Sequence, residues 1–309
     1  MPARGVYGST VAMNISSELN RNIRNVYGEA GAQWLSQLPK MLKELCTIWD
    51  VELISPLPFL TYNFVAEVES RETQKRHILK IGPPTATLEA ESRWLRLFPS
   101  ACPEVFKYDK EFNAFLMEKL SPGKTLKTLV DLNRDDEATR AIARTILKLQ
   151  ETLVRSKDYM PLIDLLPDLN SLDGVGEPYL LEMAKDLYRD LCQNADNVLL
   201  HGDLHHDNII SKNDDWKVID PHGYTGDRVS EVGVLMYNPL DRVEKITPLK
   251  VSLERRLKIL SEELPFDPQR MKAWAFCKTM LSAAWDHQDS RRLSEYQIEL
   301  ARTLNDIKI

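Results

Sequence analysis

The sequence predicts an α+β chain in two lobes, a small β-rich one followed by a larger, mainly helical one. Three observations predict it. Residues 51–81 hold short β-type runs separated by turns, whereas from Thr125 onward the apolar residues recur at helical spacing. Pro122-Gly123 marks a turn between the two patterns. In the second part, residues 201–220 read HGDLHHDNIISKNDDWKVID, a polar loop entering a hairpin. A length of 309 residues suits about two lobes, expected at 1–117 and 118–309.

Composition narrows the function classes. Forty-three per cent apolar residues can fill a real core. Forty basic against 46 acidic residues give a net charge of −6, which disfavours nucleic acid and mildly favours a cationic partner. Cys46, Cys102, Cys192 and Cys277 show no CxxC spacing, against a zinc ribbon or redox pair. Scattered thiols fit a reducing cytosol. The first residues, MPARGVYGSTVAMN, hold no sustained apolar run, and no run approaches the roughly 18 residues of a membrane span. The expectation is a cytoplasmic protein without nucleic acid, membrane or obligatory protein partner.

The elements follow in order. Residues 16–49 are helical: Trp34, Leu35 and Leu38 mark one face, and Pro39 opens a second helix carrying Leu42, Leu45, Cys46 and Trp49. Strands are expected at Val51–Ser55, Phe64–Glu69 and His77–Ile81, then a helix from about Ala86 to Phe98. Residues 112–118 form a further strand. Asp135–Thr152 is a long helix with Ile142, Ile146, Leu149 and Leu153 inward. Residues 158–176 read as an acidic loop, Glu177–Gln193 as a helix and Val198–Leu200 as a short strand. Helices over 229–237, 253–264, 268–286 and 291–307 close the chain.

Chemistry concentrates in 201–220. Asp203 and Asn208 fall on the loop before the hairpin and Asp220 at its exit, so folding the hairpin back gathers three oxygen-bearing side chains. Four residues separate Asp203 from Asn208, the spacing with which protein kinases place a base for the substrate hydroxyl and a magnesium ligand. Asp220 would hold a second position on the metal, and carboxylate and amide oxygens suit Mg²⁺. Two other readings compete. His201 and His205, four apart, would share a helix face as zinc ligands do, and His206-Asp207 suits a metal-dependent phosphohydrolase. Gly202 and the Ile209-Ile210 run argue for a loop instead.

Lys80 sits in an apolar strand, Ile78-Leu79-Lys80-Ile81, where a charge is costly unless paired. The next helix carries Glu89 and Glu91. Strand, lysine, helix, glutamate is the order in which kinases build the ion pair that grips the nucleotide phosphates. Glu91 is the expected partner and Glu89 the alternate. The candidate phosphate-covering loop, Pro56 to Asn63, has no glycine, leaving backbone amides and Thr61 to face phosphates. Backbone groups from Met117 to Lys119 are the candidate adenine contacts.

With these residues placed, the chain resembles the aminoglycoside phosphotransferase superfamily, and within it the streptomycin/hydroxyurea-type kinases. The resemblance rests on Trp34-Leu35, Leu38-Pro39, Leu79-Lys80, Met117-Glu118, Pro122-Gly123 and the run from His201 to Ile209. Ile219-Asp220-Pro221 with Gly223, Gly226-Asp227, Asn238-Pro239 and Trp285 complete it. It implies a protein-kinase-like fold and transfer of the γ-phosphoryl group of ATP, with GTP also possible, to a small-molecule hydroxyl with Mg²⁺. It implies Asp203 as base, Asn208 and Asp220 as metal ligands, and Lys80 with Glu91 as phosphate anchor. One departure is Glu231, which stands where the family carries an Asp supporting the catalytic loop. No long segment ending in Ala-Pro-Glu follows Asp220, which disfavours a protein substrate. A nucleotide-binding module without catalysis is the alternative from another class, but a pure binder needs no base.

The acceptor is expected from charge. Between residues 158 and 190 stand Asp158, Asp164, Asp168, Asp173, Glu177, Glu182, Asp186 and Asp190, against only Lys185 and Arg189. Such carboxylates beside Asp203 would concentrate cations. This predicts a polycationic, streptomycin-like acceptor, with hydroxyurea or a neutral hydroxyl compound as runner-up.

Overall fold

The computed structural model describes residues 16–58, 60–84, 88–239 and 248–308. The N-terminal stretch up to residue 15, Phe59 of the expected phosphate loop and the expected helix start at Ala86 lie outside the described residues. The chain forms two compact units, Met1–Ser92 with Glu104–Lys119, and Arg93–Pro103 with Leu120–Ile309.

The first unit joins a helix, α1 (Ser17–Ile48), to a five-stranded antiparallel sheet. The α1 helix is broken at Gly28, where φ is +54° and only glycine is at ease. Pro39 therefore does not open a helix, as the sequence suggested; it lies inside the second segment of α1. The strands are β1 (Val51–Pro56), β2 (Phe64–Ser70), β3 (Arg76–Ile81), β4 (Val105–Asp109) and β5 (Ala114–Glu118), in the order β1-β2-β3-β5-β4. Strand β4 was not anticipated; its exposed Phe106 and Lys107 blur the alternation. Leu38, Leu42 and Leu45 of α1 pack with Phe64, Val68, Leu79 and Leu116 in one core. Lys80 pairs in register with Val65 on one side and Phe115 on the other, so its backbone is fixed by two neighbours.

Helix α2 (Leu88–Leu97) ends in the second unit. There Trp94 Nε1 donates to Leu200 O at 2.9 Å. Val218 N donates to Ala101 O at 2.8 Å, fastening the 93–103 segment to the hairpin. The segment at Pro122-Gly123 is more than a turn: it forms β6 (Pro122–Thr125), paired with the first hairpin strand, Thr125 opposite Ile210. Two helices follow, α3 (Lys127–Asp131) and α4 (Asp135–Gln150). Ile142, Ile146 and Leu149 of α4 are buried as expected, but Leu153 lies past its end and is 47 % exposed.

Residues 160–161 form β7, and Leu162–Leu172, expected as loop, form a 3₁₀ helix. Leu162, Leu165, Leu169 and Leu172 bury its one apolar edge. That spacing was readable, but Pro167 and the acids masked it. Next come α5 (Pro178–Gln193), β8 (Val198–Leu200), the hairpin β9 (Ile209–Lys212) with β10 (Asp215–Val218), and β11 (Tyr224–Gly226). The helices α6 (Glu231–Met236), α7 (Leu249–Glu263), α8 (Pro268–Ser290) and α9 (Glu295–Asp306) complete the unit. From Trp274 to Ala284 every residue of α8 is buried, which makes it the central helix. Burial pushes up the thiols of all four cysteines. No helix of the described residues is long and apolar enough to cross a membrane.

Candidate active site

In the second unit, a loop from His201 to Asn208 leaves β8 and enters the hairpin. Asn208 Nδ2 donates to Asp203 O at 2.9 Å and to Asp203 Oδ2 at 3.1 Å. Spending the amide nitrogen in this way leaves the Asn208 side-chain carbonyl oxygen to act as an acceptor. The hairpin turns at Asn213-Asp214, with Asn213 at φ +54°, so Asp215 stands opposite Lys212. Ile219 N donates to Asn208 O at 3.0 Å, which sets the next residue, Asp220, beside the loop. Asp220 has φ +56°, an uncommon conformation for a residue with a side chain and one that concentrates at functional sites.

Two histidines flank the Asp203 carboxylate. His205 Nε2 lies 3.4 Å and His222 Nε2 3.6 Å from Oδ2. Burial works to raise the Asp203 carboxyl, but the hydrogen bond and charge of His205, with His222 and His201, outweigh it and hold the group well below the usual carboxylate range. Burial works equally to lower His205, yet its bond to Asp203 and the charges of Asp203, Asp207 and Asp220 carry it above the ordinary histidine value. Asp203 is thus ionised at neutral pH.

His201 serves the loop rather than a metal. Its Nε2 contacts Ile219 O at 2.9 Å, Asp203 N donates to its Nδ1 at 3.3 Å, and burial lowers the ring to about 4. Both nitrogens are spent, which removes the His201/His205 zinc pair. Among the described residues no group of three or more His, Cys, Asp and Glu is placed to hold a metal. An Asn208 and Asp220 pair differs: two oxygen donors suit Mg²⁺, which takes its other ligands from water and phosphate.

Glu231 resolves the departure noted in the sequence. At the start of α6 it accepts His201 N at 2.5 Å and Gly202 N at 3.1 Å, one on each oxygen. Burial raises this carboxyl to about 7, opposed by those two bonds and by the Lys278 charge. Gly202 has φ +84°, and a Cβ there would come within 2.4 Å of Tyr224 Cδ2, so the loop needs glycine at this point. Asp227 anchors the approach to α6, accepting Val229 N at 3.0 Å, Trp274 Nε1 at 2.6 Å and Arg270 Nε at 2.6 Å. The roles of Trp94, His222, Arg270 and Lys278 went unread in the sequence. Only Lys278 carried a signal, a charge inside an apolar helical run.

Within the first unit Lys80 is 5 % exposed, and its Nζ lies 2.9 Å from both carboxylate oxygens of Glu91. The alternate, Glu89, is exposed. Thr61 is exposed on the segment between β1 and β2. Met117 lies inside β5, opposite Ile78 and Val105, while Lys119 follows the strand and pairs with Glu67 at 2.7 Å. Of the acids between 158 and 190, Asp158 pairs with Arg93, Asp173 and Glu182 with Lys185, Glu177 with Arg302, and Asp186 with Arg189. Asp168 accepts Trp285 Nε1 at 2.8 Å. Much of the acidity of this stretch is therefore matched locally.

Comparison with known proteins agrees with this arrangement. Among solved structures, the choline kinase LicA of Streptococcus pneumoniae superposes with a TM-score of 0.58 at 14 % identity, over 88 % of this chain and all of that one. A choline/ethanolamine kinase family protein of Mesorhizobium loti gives 0.60, also at 14 %, over 86 % of this chain and 95 % of that one. These likenesses establish the kinase-like fold. By sequence, the streptomycin 3''-kinase of Klebsiella pneumoniae is 33 % identical over 185 residues, 56 % of this chain and 66 % of that protein. The streptomycin 6-kinase of Streptomyces glaucescens is 22 % identical over 303 residues, 94 % of this chain and 97 % of the other. The pattern of one family matches residues 65–290, from β2 through the His201–Asn208 loop to the end of α8. With that span matched and the loop geometry in place, the chain belongs to the aminoglycoside/hydroxyurea antibiotic resistance kinase family.

Proposed function

We propose that the protein transfers the γ-phosphoryl group of ATP to a hydroxyl of a streptomycin-like aminoglycoside. The observation that carries this reading is the Asp203 carboxylate, held ionised by two histidines and tied to Asn208. In the reaction the acceptor oxygen bonds to the γ-phosphorus as the bond to the β-phosphate oxygen breaks and ADP leaves. The acceptor's hydroxyl proton passes to Asp203. A carboxylate held this far below neutral is a weak base, so its first task is to orient the hydroxyl. Proton transfer comes late, as a loose phosphoryl-transfer transition state permits. Lys80, held by Glu91, binds the α- and β-phosphate oxygens. Asn208 and Asp220 would hold Mg²⁺, which neutralises phosphate charge when bound. The acceptor class rests on the streptomycin kinases among the relatives.

The test is a mass gain of one phosphoryl group on streptomycin with Mg-ATP, hydroxyurea and sugar alcohols run beside it. Asp203→Asn should lower kcat by roughly 10²–10⁴, the usual worth of a general base, with nucleotide affinity nearly unchanged. Asp220→Ala should raise the magnesium requirement more than Asn208→Ala, because an amide neutralises no charge. Absence of phosphoryl gain on every aminoglycoside, or full turnover by Asp203→Asn, overturns the assignment.

A further inference from the structure

Lys278 lies in the middle of α8, in the run Trp274-Ala-Phe-Cys-Lys-Thr-Met. It is 2 % exposed and its Nζ makes no hydrogen bond. An ammonium in that state is expensive, and an apolar side chain of similar length would fill the same space at lower cost. The stem is closely held. A Cβ at Gly233 of α6 would come within 2.9 Å of the Lys278 Cβ and 2.7 Å of its Cγ. The Nζ stands 5.8 Å from the centroid of the Tyr224 ring, the same ring that packs on Gly202. Lys278 thus runs from α8 alongside Gly233 of α6 to the Tyr224 ring, which in turn packs on Gly202 of the loop that carries Asp203.

We propose that Lys278 is a positioning residue for phosphoryl transfer. Its ammonium, without a hydrogen-bond partner and over the Tyr224 ring that packs on Gly202, acts on Glu231 as a counter-charge. That carboxylate in turn ties down the N–H groups of His201 and Gly202 and so fixes Asp203. The charged groups facing Glu231 are few. Lys278 comes from α8, and Asp203 comes from the loop and opposes it. Arg228, just ahead of α6, is turned to Asp196 at 2.6 Å, and Arg256 of α7 to Asp135 at 2.6 Å. His201 is held neutral by burial. Lys278 is therefore the cation that offsets burial at Glu231. Its own burial lowers it, while Glu231 and Asp203 act to keep it protonated.

The kinetic arm of this inference rests on the kinase reading; the exchange and stability arms do not. In Lys278→Met, kcat on streptomycin at pH 7.5 should fall by at least about tenfold with the KM for ATP unchanged, and the acid limb of kcat should move upward. Amide exchange at His201 and Gly202 should quicken. At pH 6, where Glu231 takes up a proton, the Tm of the variant should not fall, because a buried unpaired charge has been removed. Lys278→Arg should keep the slow exchange and the pH limb. A Tm that drops at pH 6 would make Lys278 a structural cation, and unchanged exchange in Lys278→Met would cut its link to the loop. Either overturns the proposal, even if streptomycin proves not to be the acceptor.

Discussion

Among the described residues each unit buries a lysine and a glutamate that act on each other, and the two pairs are used in opposite ways. In the first unit Lys80 and Glu91 satisfy each other, with the ammonium 2.9 Å from both oxygens. In the second, Glu231 gives both oxygens to backbone N–H groups, and Lys278 is left without a hydrogen bond. The first arrangement fixes a side chain; the second fixes a stretch of backbone and draws on the lysine only through its field. A contact pair holds a charge in place at modest cost, whereas a field pair accepts an unsatisfied ammonium to keep a loop rigid.

The difference can be tested in descending size. Glu231→Ala should have the largest effect. It frees two N–H groups and leaves Lys278 buried without its counter-charge, so unfolding in urea should show a loss of about 3–5 kcal/mol. A loss below about 1 kcal/mol would erase the distinction, since surface pairs cost that little. Glu91→Ala should come next, near the lower end of the same range at about 3 kcal/mol, with a raised KM for ATP as its kinetic mark.

A pH effect follows from Glu231. Its carboxyl is raised to about 7 from an ordinary 4.5. Protonation therefore favours the folded state: the contribution is full below about 4.5 and lost as pH rises through about 7. The stability of Glu231→Gln relative to the native protein should accordingly rise across that window, and the acid limb of kcat near pH 7 should disappear. Parallel stability curves for the two would contradict the burial argument. The smallest change is expected from Asp173→Asn, which breaks the pair with Lys185 and should alter stability by less than about 1 kcal/mol. Streptomycin affinity should be untouched by it, because that carboxylate is already matched.

Much of this was legible in the sequence because the signals were local. The hairpin showed in Ser211 to Asp215 between two apolar runs, and Lys80 showed as a charge in a strand that has no room for one. Asp203, Asn208 and Asp220 carried their spacing with them. What stayed hidden depends on contacts between distant residues. Trp94 reaches Leu200 across 106 positions, and Arg270 reaches Asp227 across 43. The break in α1 went to Gly28 rather than Pro39 because a positive φ interrupts a helix outright. A proline interior to a helix removes one hydrogen bond and crowds the carbonyl four residues earlier, a cost that packing can carry. Lys278 obeys the reasoning applied to Lys80, but one buried charge among the five of a 23-residue helix stands out less than a lysine among the apolar residues of a six-residue strand.

The four thiols have a practical consequence. Cys46, Cys102 and Cys277 are buried, Cys192 is partly so, and burial raises each above its ordinary value, Cys192 to about 12. Almost none exists as thiolate at neutral pH, and the thiolate is the nucleophile that attacks alkylating reagents and disulfides. The native protein is therefore a quiet background for maleimide chemistry. A cysteine introduced at the exposed Thr61 would take a fluorophore selectively without removing any native residue elsewhere. Its emission on addition of nucleotide would test whether the glycine-free segment between β1 and β2 faces the phosphates.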